Sequence, residues 1–414
     1  MPRRNPPPTR PARNRIILYT AIMLAVVASW PLALAHLAAP PAPADSGIEA
    51  QAEFVRQIPL PVNDVVYNPA DHLLYVSVPS SAGGAGNTVA PVNPATGEIG
   101  TPVFVGSEPS KLAMADDGHT LYVTMDGSYT IRRFDTATRT PGAEFAVGQD
   151  SFHGVYSAND LAVAPGNPNV VAVVRYYLGT SPPEAGVAIF DNGVQRPKTG
   201  VGHISGSDYV AYSASESKLY GGGSYDGLRT MTIDATGVAS TTISAQSAGT
   251  RIKFANGRIY GSGGQVFNPD TNTLLGTFAG VSTFAFTVDT AAERAYYVSR
   301  DFSSGSVTLR AFNINTFVTV GSVTLSGVTG DPLTLVRWGT NGLALRTSSN
   351  QLFVVQTSLI PSGDPVPTPT ATPVPTATPS PTPVATFVRQ IPLATNDLIY
   401  NTQNQLIYAS VPSA

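Results

Sequence analysis

Between residues 53 and 357, apolar positions come in short runs rich in Val, Tyr, Thr, Phe and Ile, broken by Gly, Asn, Asp and Pro. No window sustains a helical period, so the pattern predicts an all-β domain. The runs recur. A strand opening on an aliphatic residue, usually followed by Tyr, stands at Leu74-Tyr75, Leu121-Tyr122, Val170-Val171, Leu219-Tyr220, Ile259-Tyr260, Tyr296-Tyr297 and Leu343-Ala344. Successive gaps of about 36 to 49 residues match the spacing of propeller blades. After each of the first six comes an apolar residue, Asp or Asn, and a turn: Val92-Asn93, Phe134-Asp135, Phe190-Asp191, Ile233-Asp234, Phe267-Asn268 and Phe312-Asn313. Asp and Asn suit such turns because their side chains accept hydrogen bonds from the backbone that follows. The repetition marks these residues as structural.

The seventh unit lacks the second marker, and its strand at 351–356 runs straight into a Pro-rich segment. Residues 54–60 form a strand with no partner nearby. Placing them outermost in the seventh unit closes a ring and leaves no open seam. The predicted fold is therefore a seven-bladed β-propeller closed by an N-terminal strand. Residues 54–81 return at 387–414 with 17 of 28 positions identical. Such a repeat predicts the start of a second propeller, within a tandem array. Between the copies, residues 361–385 alternate Pro with Thr, Ala, Val and Ser, a composition that prefers extended polyproline geometry and reaches up to about 75 Å. Its threonines are candidates for O-glycosylation.

Residues 117–126, DGHTLYVTMD, followed by Phe134-Asp135-Thr136-Ala137-Thr138, resemble the YVTN family of seven-bladed propellers. The family motif is an Asp-Gly turn, a Leu-Tyr-Val-Thr strand, and a third strand ending Asp-x-x-Thr. The resemblance covers residues 54–357 and is closest in blade two. Blade one has LYVS and blade six YYVS, blade three departs to VVAVV, and Met125 replaces the usual Asn. The resemblance implies a bacterial exported or cell-surface protein. Similar propellers serve as lactonases and redox enzyme subunits.

Charged residues make up 12% of the chain, about half the usual share. With a net charge of −3 and no basic stripe, nucleic acid is not an expected partner. Five arginines up to Arg15 precede an apolar run, and Ala33-Leu34-Ala35 offers a small-residue cleavage site. This order is that of a secretory signal. The run at 16–35 is also long enough to act as an uncleaved membrane anchor. The expected organisation is thus a signal or anchor at 1–35, a flexible spacer at 36–52, the propeller at 53–358, a linker at 359–385 and an incomplete repeat at 386–414. There is no cysteine, which excludes disulfides, thiolate metal sites and covalent haem attachment.

Chemistry is sparse. His72 and His119 occupy equivalent turns, and His72 becomes Gln405 in the repeat, so both are expected to face solvent. His153 and His203 precede the inner strands of blades three and four and have no clear carboxylate partner, which makes a weak metal signal. Gly221, Gly222 and Gly223 are placed in an outer strand or turn, with no phosphate-binding context. No cofactor and no metal are expected. The innermost strands of a propeller line its channel, so the residues that open them gather at one mouth. These are Asp64, Lys111, Asp160, Asp208 or its neighbour Tyr209, and Arg251. They form a candidate site for a small polar ligand, or a mutually paired rim. The chain is expected to be a non-catalytic surface module, monomeric within a multidomain chain, for an extracellular protein or glycan. The alternative is an exported lactonase-like or sugar-processing enzyme acting at the channel mouth.

Overall fold

The computed structural model describes residues 48–49, 54–203, 206–223, 227–339, 342–361, 397–401 and 406–410. The N-terminal segment expected at 1–35, all of the 36–52 spacer except 48–49, and most of the Pro-rich linker lie outside them. Among the described residues no helix is long and apolar enough to cross a membrane. The chain divides into two compact units, Met1–Val366 and Pro367–Ala414.

The first unit is a seven-bladed β-propeller. Blade one contains strands Asp64–Asn68, Leu73–Val78, Thr88–Val92 and Val103–Phe104, from the channel outward. The inner strands of the next five blades are Pro109–Met114, Gly154–Ala164, Tyr209–Tyr212, Ile252–Ala255 and Phe286–Asp289. Blade seven holds Pro332–Trp338, Gly342–Thr347 and Leu352–Gln356, and its outermost strand is Phe54–Ile58. That strand runs antiparallel to its neighbour, Phe54 opposite Gln356 and Ile58 opposite Leu352. The two ends of the ring meet in one sheet, as the unpaired N-terminal run requires. A parallel two-residue strand, Ile48–Glu49, also adds to the edge of blade six.

Each blade is covered on both faces by its neighbours, which is why its strands read as continuous apolar runs rather than alternating ones. In Leu73–Val78, Leu74, Val76 and Val78 pack toward blade seven with Ile58, Ala344 and Val354. Tyr75 packs the other way, with Leu112 and Leu121 of blade two. Similar clusters fill the other five blade boundaries. Leu359 and Ile360 belong to the one between blades six and seven, so the packed unit extends at least to Ile360.

The recurring tyrosines also tie blades together through their hydroxyls. Tyr75 donates to Thr136 O of blade two at 3.2 Å, Tyr122 to Pro168 O of blade three at 2.9 Å, and Tyr297 to Gly261 O of blade five at 3.0 Å. A ring that buries its body between blades and finds a carbonyl at its tip explains the choice of Tyr over Phe. Gly221 and Gly222 lie on the second strand from the channel, Lys218–Gly222, not on an outer one. A Cβ at Gly222 would sit 2.4 Å from Thr250 O of the next blade. Glycine at 222 lets two backbones approach, and at 221 it leaves room for the Ser207 side chain.

In the second unit, Asp397–Asn401 and Leu406–Ser410 form an antiparallel hairpin. Its register, Asp397 opposite Ser410, reproduces that of Asp64 opposite Ser77 in blade one.

Candidate functional site: the channel and its mouth

Successive strands of a blade are antiparallel, so its turns alternate between the two faces of the ring. One face carries the turns from first to second and from third to fourth strands. There the Asx turns repeat: Asn93 accepts from Ala95 N, Asp135 from Thr138 N, Asp234 from Thr236 N, Asn268 from Asp270 N and Asn313 from Asn315 N. His72 and His119 sit on this face, exposed. The opposite face carries the turns from second to third strands and the crossings between blades, and it differs from blade to blade. The channel residues singled out from sequence lie toward this second face.

Asp64, Lys111, Asp160, Tyr209 and Arg251 line one central cavity of about 400 Å³. Asp208 does not, and of the alternatives given for blade four it is Tyr209 that faces the channel. Nor does Asp160 open its strand. Gly154–Ala164 begins six residues earlier, and a bulge between Ala158 and Asp160 re-aims the chain as it enters the ring.

The two acids clamp neighbouring blades. Asp64 Oδ2 accepts from Leu112 N of blade two at 3.1 Å, while Asn63 Nδ2 donates to Pro109 O at 2.8 Å. Asn159 and Asp160 do the same one blade pair further on, with Asp208 O at 2.7 Å and Val210 N at 2.9 Å. Asp64 Oδ1 also accepts from Thr334 Oγ1 of blade seven at 3.0 Å. An Asn-Asp pair opening the channel-facing stretch is therefore a device of assembly.

The cations are placed differently. Arg251 lies over the Tyr209 ring, 4.5 Å from its centroid, and its Nη1 donates to Leu333 O at 2.5 Å. Lys253, two residues on and so on the same side of its strand, reaches Leu335 O at 3.3 Å and the Phe286 ring at 5.6 Å. Sequence reading passed over Lys253, although the period of two from Arg251 was there to be used. Burial within the ring, reinforced by Arg251, pulls the Lys253 ammonium down to about 8. Burial pushes the Asp160 carboxyl up to about 6, against the opposing pull of the Val210 N–H, Arg251 and Lys111.

Two further depressions flank the mouth and share Thr250 and Phe284. One, of about 370 Å³, includes Phe302, 83% exposed, and the Arg300–Asp331 ion pair at 3.2 Å. The other, of about 220 Å³, holds Asn159, Tyr176, Glu184 and Asp208. There the Tyr176 hydroxyl donates to Asp208 Oδ1. Burial, with Asp208 close by, raises the Glu184 carboxyl above the ordinary range. This group comes from loops and strand ends of blades three and four, and no spacing in the sequence announces it. At blade three, His153 and His203 both lie against the Tyr177 ring in tilted arrangements, with centroids 4.1 and 5.6 Å away. His153 Nδ1 contacts Asp150 Oδ2 at 3.0 Å, a carboxylate partner the sequence had not made clear. Among the described residues no group of three or more His, Asp or Glu side chains could hold a metal ion.

No protein-family model matches the chain, and no curated protein matches it. Solved structures do. The chain is similar to the structure of U3-55K, with a TM-score of 0.56 and 13% identity over 74% of this chain and 99% of that one. It is also similar to the β-propeller domain of Cps50 (Swd1) from Myceliophteria thermophila, with a TM-score of 0.58 and 11% identity over the same shares. Matches extend to 1379 solved chains, and at such identities they establish the architecture alone: this chain folds as a seven-bladed β-propeller.

Proposed function

We propose that this chain is an exported, cell-surface propeller of the YVTN kind. It acts as a non-catalytic binding or adhesion module in a tandem array, for an extracellular protein or glycan. The observation that carries this reading is the unlikeness of the two faces. One repeats the same Asx turn in five of the seven blades, whereas the other gathers Phe284, Phe302, Arg251 and two depressions around the channel mouth. Seven-bladed propellers commonly act as interaction scaffolds, and variation confined to one face is what a binding surface requires. Export rests on the basic, apolar, small-residue order of the N-terminus.

Two measurements test it. Fractionation of cells making the full chain should find it outside the cytoplasm. Binding of the chain to intact cells and to immobilised surface polysaccharide should weaken about tenfold in Phe302→Ser and stay unchanged in Asn268→Ser on the other face. Equal loss in both variants would remove the assignment of the face.

A second reading, a lactonase-like enzyme, has one observation in its favour. Asp160 and Lys253, both shifted toward neutrality, share a cavity, and such groups cluster at reactive sites. Lactone hydrolysis by the wild type, abolished in Lys253→Met, would select it.

A further inference from the structure

The channel's acids have partners and its bases largely lack them. Asp64 and Asp160 direct their carboxylates at backbone N–H groups and a hydroxyl. Among the described residues, the ion pairs leave Lys111, Arg251 and Lys253 with no carboxylate within 4.0 Å. The Lys111 ammonium makes no hydrogen bond there, and Arg251 uses only Nη1, on carbonyl oxygens, leaving Nε and Nη2 without acceptors. The three cations line one cavity of about 400 Å³, where burial and Arg251 pull the Lys253 pKa down against the opposing pull of Asp64 and Asp160. Like charges gathered in a partly desolvated space destabilise the empty protein. An anion there would relieve them and accept the free donors.

We propose that the channel is an oxyanion site, in which a carboxylate or phosphate group is held between Lys111, Arg251 and Lys253. The inference deepens the reading of the mouth as the ligand-binding side, and rests on it. Asp64 and Asp160 set the limits of the site from blades one and three, and Arg346 from blade seven adds positive potential. Tyr209 backs the guanidinium from blade four, and the chain entering blade six contributes Phe284 O, 3.3 Å from Arg251 Nη1, and the Phe286 ring beneath Lys253. Lys111 and Arg251 come from blades on opposite sides of the Asp160 strand, so an anion between them is gripped from two directions. A neutral sugar would leave the same donors without charge compensation.

The test is calorimetric titration of the full chain at low salt and a pH of about 7, with D-galacturonate, D-galactose and inorganic phosphate. Saturable one-to-one binding of galacturonate or phosphate, with none for galactose, is the expected result. Tighter galacturonate binding assigns the oxyanion to a sugar acid, and tighter phosphate binding to a phosphate group. Lys111→Gln and Lys253→Met should each weaken binding about tenfold or more, while Lys253→Arg, which keeps the charge, should retain it. At pH 8, binding should take up protons because the anion raises the Lys253 pKa, a signal read as dependence of the heat on buffer ionisation. Absence of binding by either anion at about 10 mM, or binding that survives both lysine variants, overturns the proposal. Phe302→Ser lies outside the channel and should leave anion binding intact, so a failure of the face reading and a failure of the oxyanion site are told apart.

Discussion

Asp64 and Lys253 look alike as a pair of channel charges but have opposite energetic signs. The Asp64 carboxylate is held by Leu112 N and Thr334 Oγ1. Replacing it with Ala strands a buried N–H at a blade boundary, and Asp64→Ala should lower unfolding free energy by about 2 to 3 kcal/mol in denaturant titration. Lys253 is charged in a place that disfavours charge. Its folded pKa of about 8 lies below the ordinary 10.5, so the unfolded chain binds the proton more tightly. The cost is fully present below pH 8 and disappears as pH rises through 10.5. Lys253→Met should therefore stabilise the protein at pH 7 by about 1 kcal/mol or more, with the gain fading by pH 10.5. Denaturation midpoints across that range measure it. At this scale the sequence was half legible. Taking one residue near the start of each inner strand's channel-facing stretch found Asp64, Lys111, Asp160 and Arg251. It missed Lys253 because only one residue per strand was considered, and left Asp208 and Tyr209 as alternatives because a one-residue shift turns a strand over.

Strand Phe54–Ile58 shows what an element contributes beyond its residues. It covers the edge of Leu352–Gln356 with five rungs and places Ile58 in the core between blades seven and one. Deleting residues 53–60 should lower the melting temperature by more than about 10 °C, because it exposes an edge and opens the seam. An unchanged melting curve would refute the role given to this strand. The strand could be read from sequence because it was an apolar run with no local partner, matched by a seventh unit one strand short. Blade three was harder. Its strands Gly154–Ala164 and Asn167–Tyr177 continue well past the ring, and the VVAVV run gives no sign of where the ring ends and the projection begins. The Glu184–Asp208 pair was hidden for a similar reason, since loops between blades set its geometry and carry no period.

For the whole molecule, the hairpin at 397–410 is instructive because it repeats blade one's register without blade one's surroundings. Ile407 and Tyr408 are 66% and 50% exposed, whereas Leu74 and Tyr75, their counterparts, are fully buried. A two-stranded hairpin with bare apolar faces is marginal in water. Its amides should exchange about a thousandfold faster than those of 64–78, and comparable protection of the two segments in hydrogen exchange would contradict this.

Phe54 lies opposite Gln356, which has a mechanical consequence. The chain enters and leaves the ring at the same end of one antiparallel pair. Tension on the two sides therefore parts the rungs one after another, as a zipper opens, instead of shearing all five together. The two-residue pairing of Ile48–Glu49 on one side and the packing of Leu359 and Ile360 on the other must give way ahead of it. Under pull the ring should yield first at blade seven, at low force, while the other six blades hold. Single-molecule stretching should record a small early extension of one closing strand, and quick recovery when the tension is released. Pulled at its two ends, the ring thus carries a built-in spring at blade seven.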